Sequence, residues 1–274
     1  MDKIQSCKLG NFQVGSGKLT VIAGPCMAES FELCLQVATK IKAICQTLDI
    51  NYAFKASFDK ANRSSVESYR GPGIECGLTW LEDIGKKLDL PVVTDIHEPH
   101  QAKRAAESVD CLQIPAFLAR QTDLLVAAGE TGKAINVKKG QFMAPWDMEN
   151  VVQKIRSTGN DNVILTDRGT FFGYNRLVSD MRAIPQMGQY APTCFDATHS
   201  IQEPGGLGAS SGGKREFAPL LAYAAIAAGA DALFIETHPD PANAKSDAAC
   251  QIPLDQIESV LKKCKAHFDI ARSN

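Results

Sequence analysis

Leu19-Thr20-Val21-Ile22-Ala23-Gly24-Pro25-Cys26 is a short apolar run, broken by Gly-Pro, that ends on a residue able to do chemistry. Seven more runs of this kind follow. Four are Tyr52 to Phe54 then Lys55, Val92 to Thr94 then Asp95, Cys111 to Leu112 then Gln113, and Ala134 to Val137 then Lys138. The last three are Val163 to Asp167 then Arg168, Thr193 to Thr198 then His199, and Ala232 to Ile235 then Glu236. Short runs rich in Val, Ile, Leu and Phe, alternating with longer helical patterns, read as parallel strands buried on both faces. Eight of them predict an α/β fold, a closed (β/α)8 TIM barrel whose active site lies at the carboxyl ends of the strands. Thiol, amine, carboxylate, guanidinium and imidazole groups converge there, so the pattern points to an enzyme.

Outward from these runs, helices are expected over 30–48, 73–88, 99–108, 118–128, 145–157, 217–228 and 254–268, with a further one over 177–187. Cys7 to Lys18 alternates around Gly10-Asn11, which predicts an N-terminal β-hairpin covering the amino-terminal end of the barrel. At 274 residues, with no linker or low-complexity stretch, residues 1–274 read as a single catalytic domain. A formal charge of -2 gives no global attraction to nucleic acid or to an acidic membrane surface. Met1 to Gly10 lacks a basic region followed by an apolar core, and no run approaches the roughly 20 apolar residues of a membrane helix. Nine cysteines, an odd number with no CxxC pair, fit free thiols in a reducing compartment, so a cytoplasmic location is expected. Cys34, Cys45, Cys111 and Cys194 lie inside apolar patterns and read as small core side chains, whereas Cys26 sits just past a strand.

The loop after the second strand, Lys55-Ala56-Ser57-Phe58-Asp59-Lys60-Ala61-Asn62-Arg63-Ser64-Ser65, interleaves three cations with hydroxyls and an amide. Elsewhere such a run is usually a solvated charged surface. Its place after a barrel strand makes it a cradle for phosphate or carboxylate. Lys138-Lys139 and Arg168 add positive charge to the same mouth, so a small, multiply anionic substrate is implied. Metal-ligand types also gather at strand ends: Cys26, His199, Glu236, His238 and, in the following loop, Asp247. A thiolate, an imidazole and carboxylates suit zinc, iron(II) or manganese. Each taken singly is more often a packed or hydrogen-bonded residue, and the shared barrel face is what raises the metal reading. Gly205 to Arg215 resembles GxxxxGK, but Arg215 stands where a P-loop needs Ser or Thr, and the loop follows strand seven of a barrel. It is expected instead as a backbone-rich loop over the mouth. A Ser-His-Asp hydrolase is allowed by composition but ranks below the anion-and-metal reading.

Ala23-Gly24-Pro25-Cys26, Phe54 to Ser65, Tyr69-Arg70-Gly71-Pro72-Gly73 and Thr94-Asp95-Ile96-His97-Glu98 resemble the 3-deoxy-D-manno-octulosonate-8-phosphate synthase family. So do Ile114 to Asp123, Asn136-Val137-Lys138-Lys139, Asp196-Ala197-Thr198-His199 and His238-Pro239-Asp240-Pro241. The sister family that uses erythrose 4-phosphate carries a Lys-Pro-Arg-Thr type segment where this chain has Lys60-Ala61-Asn62-Arg63-Ser64. The resemblance therefore implies condensation of phosphoenolpyruvate with D-arabinose 5-phosphate and water, in the lipopolysaccharide (Kdo) pathway.

It further implies that Lys55, Lys60, Lys138 and Arg168 hold phosphoenolpyruvate, with Gln113 nearby. Asn62, Arg63, Ser64 and Asp95 hold the sugar phosphate, and His97 lies close to the reacting carbons. Family members are commonly homotetramers in which the Phe117 to Arg120 loop reaches into a neighbour's site. Metal-independent members place Asn at the Cys26 position and Cys-Asp-Gly where this chain has Ser246-Asp247-Ala248, so the resemblance is to the metal-dependent branch. On that branch Cys26, His199, Glu236 and Asp247 bind one divalent ion. Two rivals stand beside this reading: the erythrose 4-phosphate activity, and a non-catalytic barrel that binds sugar phosphate.

Overall fold

Residues 6–63, 65–205 and 212–273 are described by a computed structural model of the chain. Eight strands are β1 (Thr20–Gly24), β2 (Asn51–Lys55), β3 (Val92–Asp95), β4 (Cys111–Ile114), β5 (Ala134–Lys138), β6 (Val163–Asp167), β7 (Thr193–Asp196) and β8 (Ala232–His238). Each pairs in parallel with its neighbours in sequence order, and β8 pairs with both β7 and β1, so the sheet closes. The (β/α)8 expectation is met. Between and after the strands run α1 (Phe31–Thr47), α2 (Ile74–Leu88), α3 (Gln101–Ala106), α4 (Thr122–Gly129), α5 (Met148–Arg156), α6 (Ala183–Met187), α7 (Ala218–Ala227) and α8 (Ile257–Arg272). At the start of α1 the Ser30 hydroxyl accepts from the Leu33 amide at 3.1 Å, which satisfies one of the amides that a helix start leaves open. The apolar faces of the helices bury Val37, Leu78, Leu81, Leu125, Val152 and Leu261 against the outside of the barrel.

The expected hairpin is present, with Cys7–Leu9 paired antiparallel to Phe12–Val14 across Gly10-Asn11. Its Cys7, Leu9 and Val14 cluster with one layer of barrel interior: Ile22, Ala53, Val93, Cys111, Ala134, Ile164, Cys194, Ala232 and Phe234. Five of those barrel residues are Ala or Cys. The hairpin side chains occupy the volume that such small residues leave, so the lower barrel is a packed core.

One helix expectation is corrected. Leu177 and Val178 pair antiparallel with Phe171 and Thr170, so 177–187 begins as a small hairpin and only Ala183–Met187 is helical. Asp180 sets the boundary, because its carboxylate accepts the Arg182 amide at 3.0 Å and favours a turn there.

Gly24 closes β1 where two strands come too near for a side chain. A Cβ there would stand 2.0 Å from the Lys55 carbonyl oxygen and 2.9 Å from the Phe54 ring. Backbone cannot retreat as a flexible side chain can, so Gly24→Ala is expected to destabilise the fold by at least about 1–3 kcal/mol, the usual cost of overpacking. Urea unfolding would show this as a lower midpoint, and an unchanged midpoint would contradict the close approach.

Candidate active site

Period-two geometry sends residues i and i+2 to the same face of a strand. One step above the apolar interior layer, Ala53 is therefore followed by Lys55, Val93 by Asp95, Cys111 by Gln113, Cys194 by Asp196 and Phe234 by Glu236. This second layer, with Lys138 and Arg168, is at most 6% exposed. All of these but Asp196 floor a cavity of about 680 Å³ whose walls also carry Lys60, Asn62, Arg63, Phe117, His199 and Asp247.

Glu236 lies at the centre. Its Oε1 stands 3.6 Å from the Lys55 ammonium and 4.0 Å from that of Lys60, and its Oε2 is 3.5 Å from His199 Nε2. Neither oxygen accepts a hydrogen bond, although the side chain is buried. A buried carboxylate in that condition calls for a cation. Burial works against its ionisation, but His199, Lys60 and Lys55 outweigh burial and hold it below the usual glutamate value.

Three candidate ligand atoms, from Cys26, Glu236 and Asp247, lie within 4.8 Å of one another, so this group could hold a metal ion. Cys26 Sγ is 3.2 Å from Asp247 Oδ2, and His199 Nε2 faces the same oxygen at 3.6 Å. Burial, with Glu236 and Asp247 adding to it, pushes the Cys26 thiol well above its ordinary value. Burial opposes ionisation of Asp247 as well, yet His199 and Lys60 keep that carboxylate low. The thiol, imidazole and two carboxylates fit a borderline divalent ion by donor type.

Two residues to which sequence reasoning assigned no role position these groups. Asp196 accepts from Lys138 Nζ at 2.6 Å, pairs with His199 Nδ1 at 2.7 Å and accepts the His199 amide at 2.9 Å. It thereby leaves Nε2 of His199 turned to the carboxylates, the usual arrangement behind a ligating histidine. Lys138 also lies over the Phe234 ring, 3.6 Å from its centroid. Gln251, fully buried, accepts from the Cys26 amide at 3.2 Å and donates to the Ser246 carbonyl at 2.8 Å, tying the loop of Cys26 to that of Asp247.

On the other wall Lys55 and Lys60 both donate to the Ser57 hydroxyl, at 2.8 and 2.9 Å, and that hydroxyl donates to Asp95. His97 Nε2 meets Asp95 at 3.1 Å. Burial would raise the Asp95 carboxyl, but Lys55, His97 and Lys60 hold it well below the usual range. Arg168 donates to Gln202 Oε1 at 2.7 Å while its buried Nη1 has no partner. Gln202 in turn donates to Asp247 Oδ1 at 3.0 Å.

Some expected residues stand elsewhere. Lys139 does not add charge to the mouth: consecutive strand residues face opposite ways, so it points from Lys138 into the wall. There its ammonium is buried against the carbonyls of Gly140, Met143 and Gly169 and lies 3.4 Å from Asp167. His238 is two residues beyond Glu236, about 6.6 Å further along the strand. Its Nδ1 accepts the Asp240 amide at 3.0 Å and its Nε2 is 3.7 Å from Glu29, so it does not join the ligand group. Arg63 does line the cavity, while its guanidinium donates to the carbonyls of Tyr69 and Lys245, at 2.8 and 2.6 Å. Arg120 is exposed beyond the turn that carries Phe117 and does not line its own chain's cavity. Ser64, and the stretch 206–211 of the glycine-rich loop, lie outside the described residues.

The sequence profile of the DAHP synthetase I family matches residues 4–272. A protein of Granulibacter bethesdensis named 2-dehydro-3-deoxyphosphooctonate aldolase is 58% identical over 264 residues, covering 96% of this chain and 93% of its own length. Proteins of the same name from Fusobacterium nucleatum and Protochlamydia amoebophila are 53% and 52% identical, covering 96% and 95% of this chain and 95% of their own lengths in each case. By profile and by identity along nearly its whole length, the chain belongs to the DAHP synthetase I family, among the 2-dehydro-3-deoxyphosphooctonate aldolases.

Proposed function

We propose that the protein condenses phosphoenolpyruvate with D-arabinose 5-phosphate and water. The products are 3-deoxy-D-manno-octulosonate 8-phosphate, which feeds Kdo and lipopolysaccharide synthesis, and inorganic phosphate. The observation that carries this reading is the buried cationic mouth, in which Lys55, Lys60, Lys138 and Arg168 converge and Arg168 Nη1 has no partner. A buried donor without an acceptor is a position prepared for a ligand oxygen. The names of the relatives point the same way.

Lys55, Lys60, Lys138 and Arg168, with Gln113, hold the phosphate and carboxylate of phosphoenolpyruvate. Asn62, Arg63, Ser64 and Asp95 hold the sugar phosphate, and Phe117 closes the wall beside it. Two anions side by side repel each other, and the cations offset that repulsion while holding C3 of phosphoenolpyruvate against the sugar aldehyde. A new bond joins these two carbons, water adds at C2, and phosphate leaves. His97, which meets Asp95 at 3.1 Å, is assigned to the reacting carbons, where an imidazole can move a proton.

Cys26, His199, Glu236 and Asp247 are the residues that would hold one divalent ion, be it zinc, iron(II) or manganese. Polarisation of the aldehyde oxygen is the chemistry such an ion supplies when bound. The oxygens of Glu236, buried and accepting no hydrogen bond, support this assignment.

The mouth is completed in a homotetramer, with Arg120 entering a neighbouring copy. Phe117, Phe142, Phe171, Phe172 and Tyr174, all exposed on loops after β4, β5 and β6, support a covered face there. No helix among the described residues is long and apolar enough to cross a membrane, and the free cysteines agree with a cytoplasmic location. The test is phosphate release from phosphoenolpyruvate with arabinose 5-phosphate or erythrose 4-phosphate, each before and after a strong chelator. Turnover with the five-carbon sugar alone, abolished by chelator and restored by a divalent ion, is the expected outcome. Preference for erythrose 4-phosphate would assign the sister activity, and chelator-resistant turnover would remove the metal role of Cys26.

A further inference from the structure

We propose that Gln202 is a positioning residue shared by two subsites, its single amide orienting the anion-binding Arg168 at one end and Asp247 at the other. The inference rests on the reading that Arg168 holds an anion and Asp247 a metal ion.

The chemistry of the partners dictates which way the amide faces. A guanidinium offers only donors and an ionised carboxylate only acceptors, so Oε1 must face Arg168 and Nε2 must face Asp247. The distances are 2.7 and 3.0 Å. The backbone of Gln202 is anchored as well: its amide donates to the His199 carbonyl at 3.3 Å, and Gln202–Glu203 pairs antiparallel with Gly212–Gly213.

Each end leaves one atom free for work. Gln202 takes one nitrogen of Arg168 and leaves the buried Nη1 without a partner, aimed for an incoming anion. On Asp247 it takes Oδ1 and leaves Oδ2 towards Cys26 Sγ and His199 Nε2. Asp247 has φ of 46°, a left-handed conformation that costs a residue with a side chain more than it costs glycine, though less for Asp than for most. The Gln202 contact is one restraint that holds it there. One side chain thus sets the aim of a donor for substrate and of a ligand for metal, two groups that the sequence separates by 79 positions.

The test uses Gln202→Met, which keeps the length and loses both hydrogen bonds, and Gln202→Asn, which keeps the amide on a shorter arm. Two affinities are measured on metal-free full-length protein: Co²⁺ by chelator competition, with its thiolate absorption band, and phosphoenolpyruvate by calorimetry without metal. For Gln202→Met, Co²⁺ binding should weaken by roughly 10–100-fold, as for other lost supports of a ligand. Phosphoenolpyruvate should weaken by about tenfold, as for a lost hydrogen bond to a charged group. The cobalt band should shift, while the thermal midpoint stays within a few degrees of the parent. Gln202→Asn should recover at most one of the two affinities, because the shorter arm cannot span both partners. A Gln202→Met protein that keeps either affinity, or a Gln202→Asn protein that regains both, would overturn the shared role. If the unaltered protein binds no Co²⁺ or no phosphoenolpyruvate, the underlying site reading falls and the inference with it. If the unaltered protein binds both and Gln202→Met matches it, the inference alone falls.

Discussion

Cys26→Ala is expected to bind far less divalent ion than the parent and to lose more than about a hundredfold in turnover. The scale follows from neighbouring groups, since losing a residue that merely supports a ligand already costs about 10–100-fold, and Cys26 is assigned as a ligand itself. Its buried thiol stands 3.2 Å from Asp247 Oδ2, and an alanine methyl offers no donor atom in its place. Metal content by elemental analysis is the first readout. Ordinary occupancy in the variant would remove Cys26 from the ligand set. Cys26→Asn sharpens the comparison, because asparagine stands at this position in metal-independent members of the family, whereas this sequence resembles the metal-dependent branch. Chelator-resistant turnover in that variant would mean that Lys55, Lys60, Lys138 and Arg168 are already arranged to work without an ion. An inactive Cys26→Asn protein would mean that other positions must change too, and Gln251 is the first to examine because its side chain holds the Cys26 amide.

Asp196→Ala is expected to lower stability as well as activity. Asp196 is fully buried and is the short-range counter-ion of Lys138, whose own side chain is 6% exposed. Burial and the nearby Lys55 already draw the Lys138 ammonium below its usual value against the pull of Asp196. Removing one partner of such a pair strands the other charge in a low-dielectric place, typically at about 3–5 kcal/mol. For a chain of this size that is a fall in thermal midpoint of roughly 6–20 °C, read by calorimetry. Turnover falls too, because His199 loses the contact that fixes its ring. Asp196→Asn keeps the shape and one acceptor and should lie between parent and alanine. An alanine variant with the parent's midpoint would show that Lys138 finds another partner.

The barrel was legible because its signal is local. Eight apolar runs need only their own residues to be recognised, and the groups that follow them fall at the right end by the geometry of the strand. Lys55, Asp95, Gln113, Lys138, Arg168 and Glu236 were found this way and line one cavity. Lys139 was misread because adjacency in sequence suggested adjacency in space, whereas strand alternation turns neighbours apart. Leu177 and Val178 were misread as the start of a helix because their pairing with Phe171 and Thr170 depends on a turn that apolar spacing does not report. Asp196, Gln202 and Gln251 had no assigned role for a different reason. What they do is set by contacts across 58, 34 and 225 positions, and a glutamine in a loop carries no mark of such reach.

Cys26 and Asp247 meet across 221 positions, at the seam where β1 pairs with β8. Contacts of such separation are the slowest to gain in folding, because the chain between them must be ordered before they form. A nascent chain emerging from the ribosome can assemble β1 to β7 and still lack half of the ligand group, since Glu236 and Asp247 have not yet been made. Chemistry at this mouth therefore becomes available only after β8 and the loop of Asp247 have been made, and chains that stop short of them lack it.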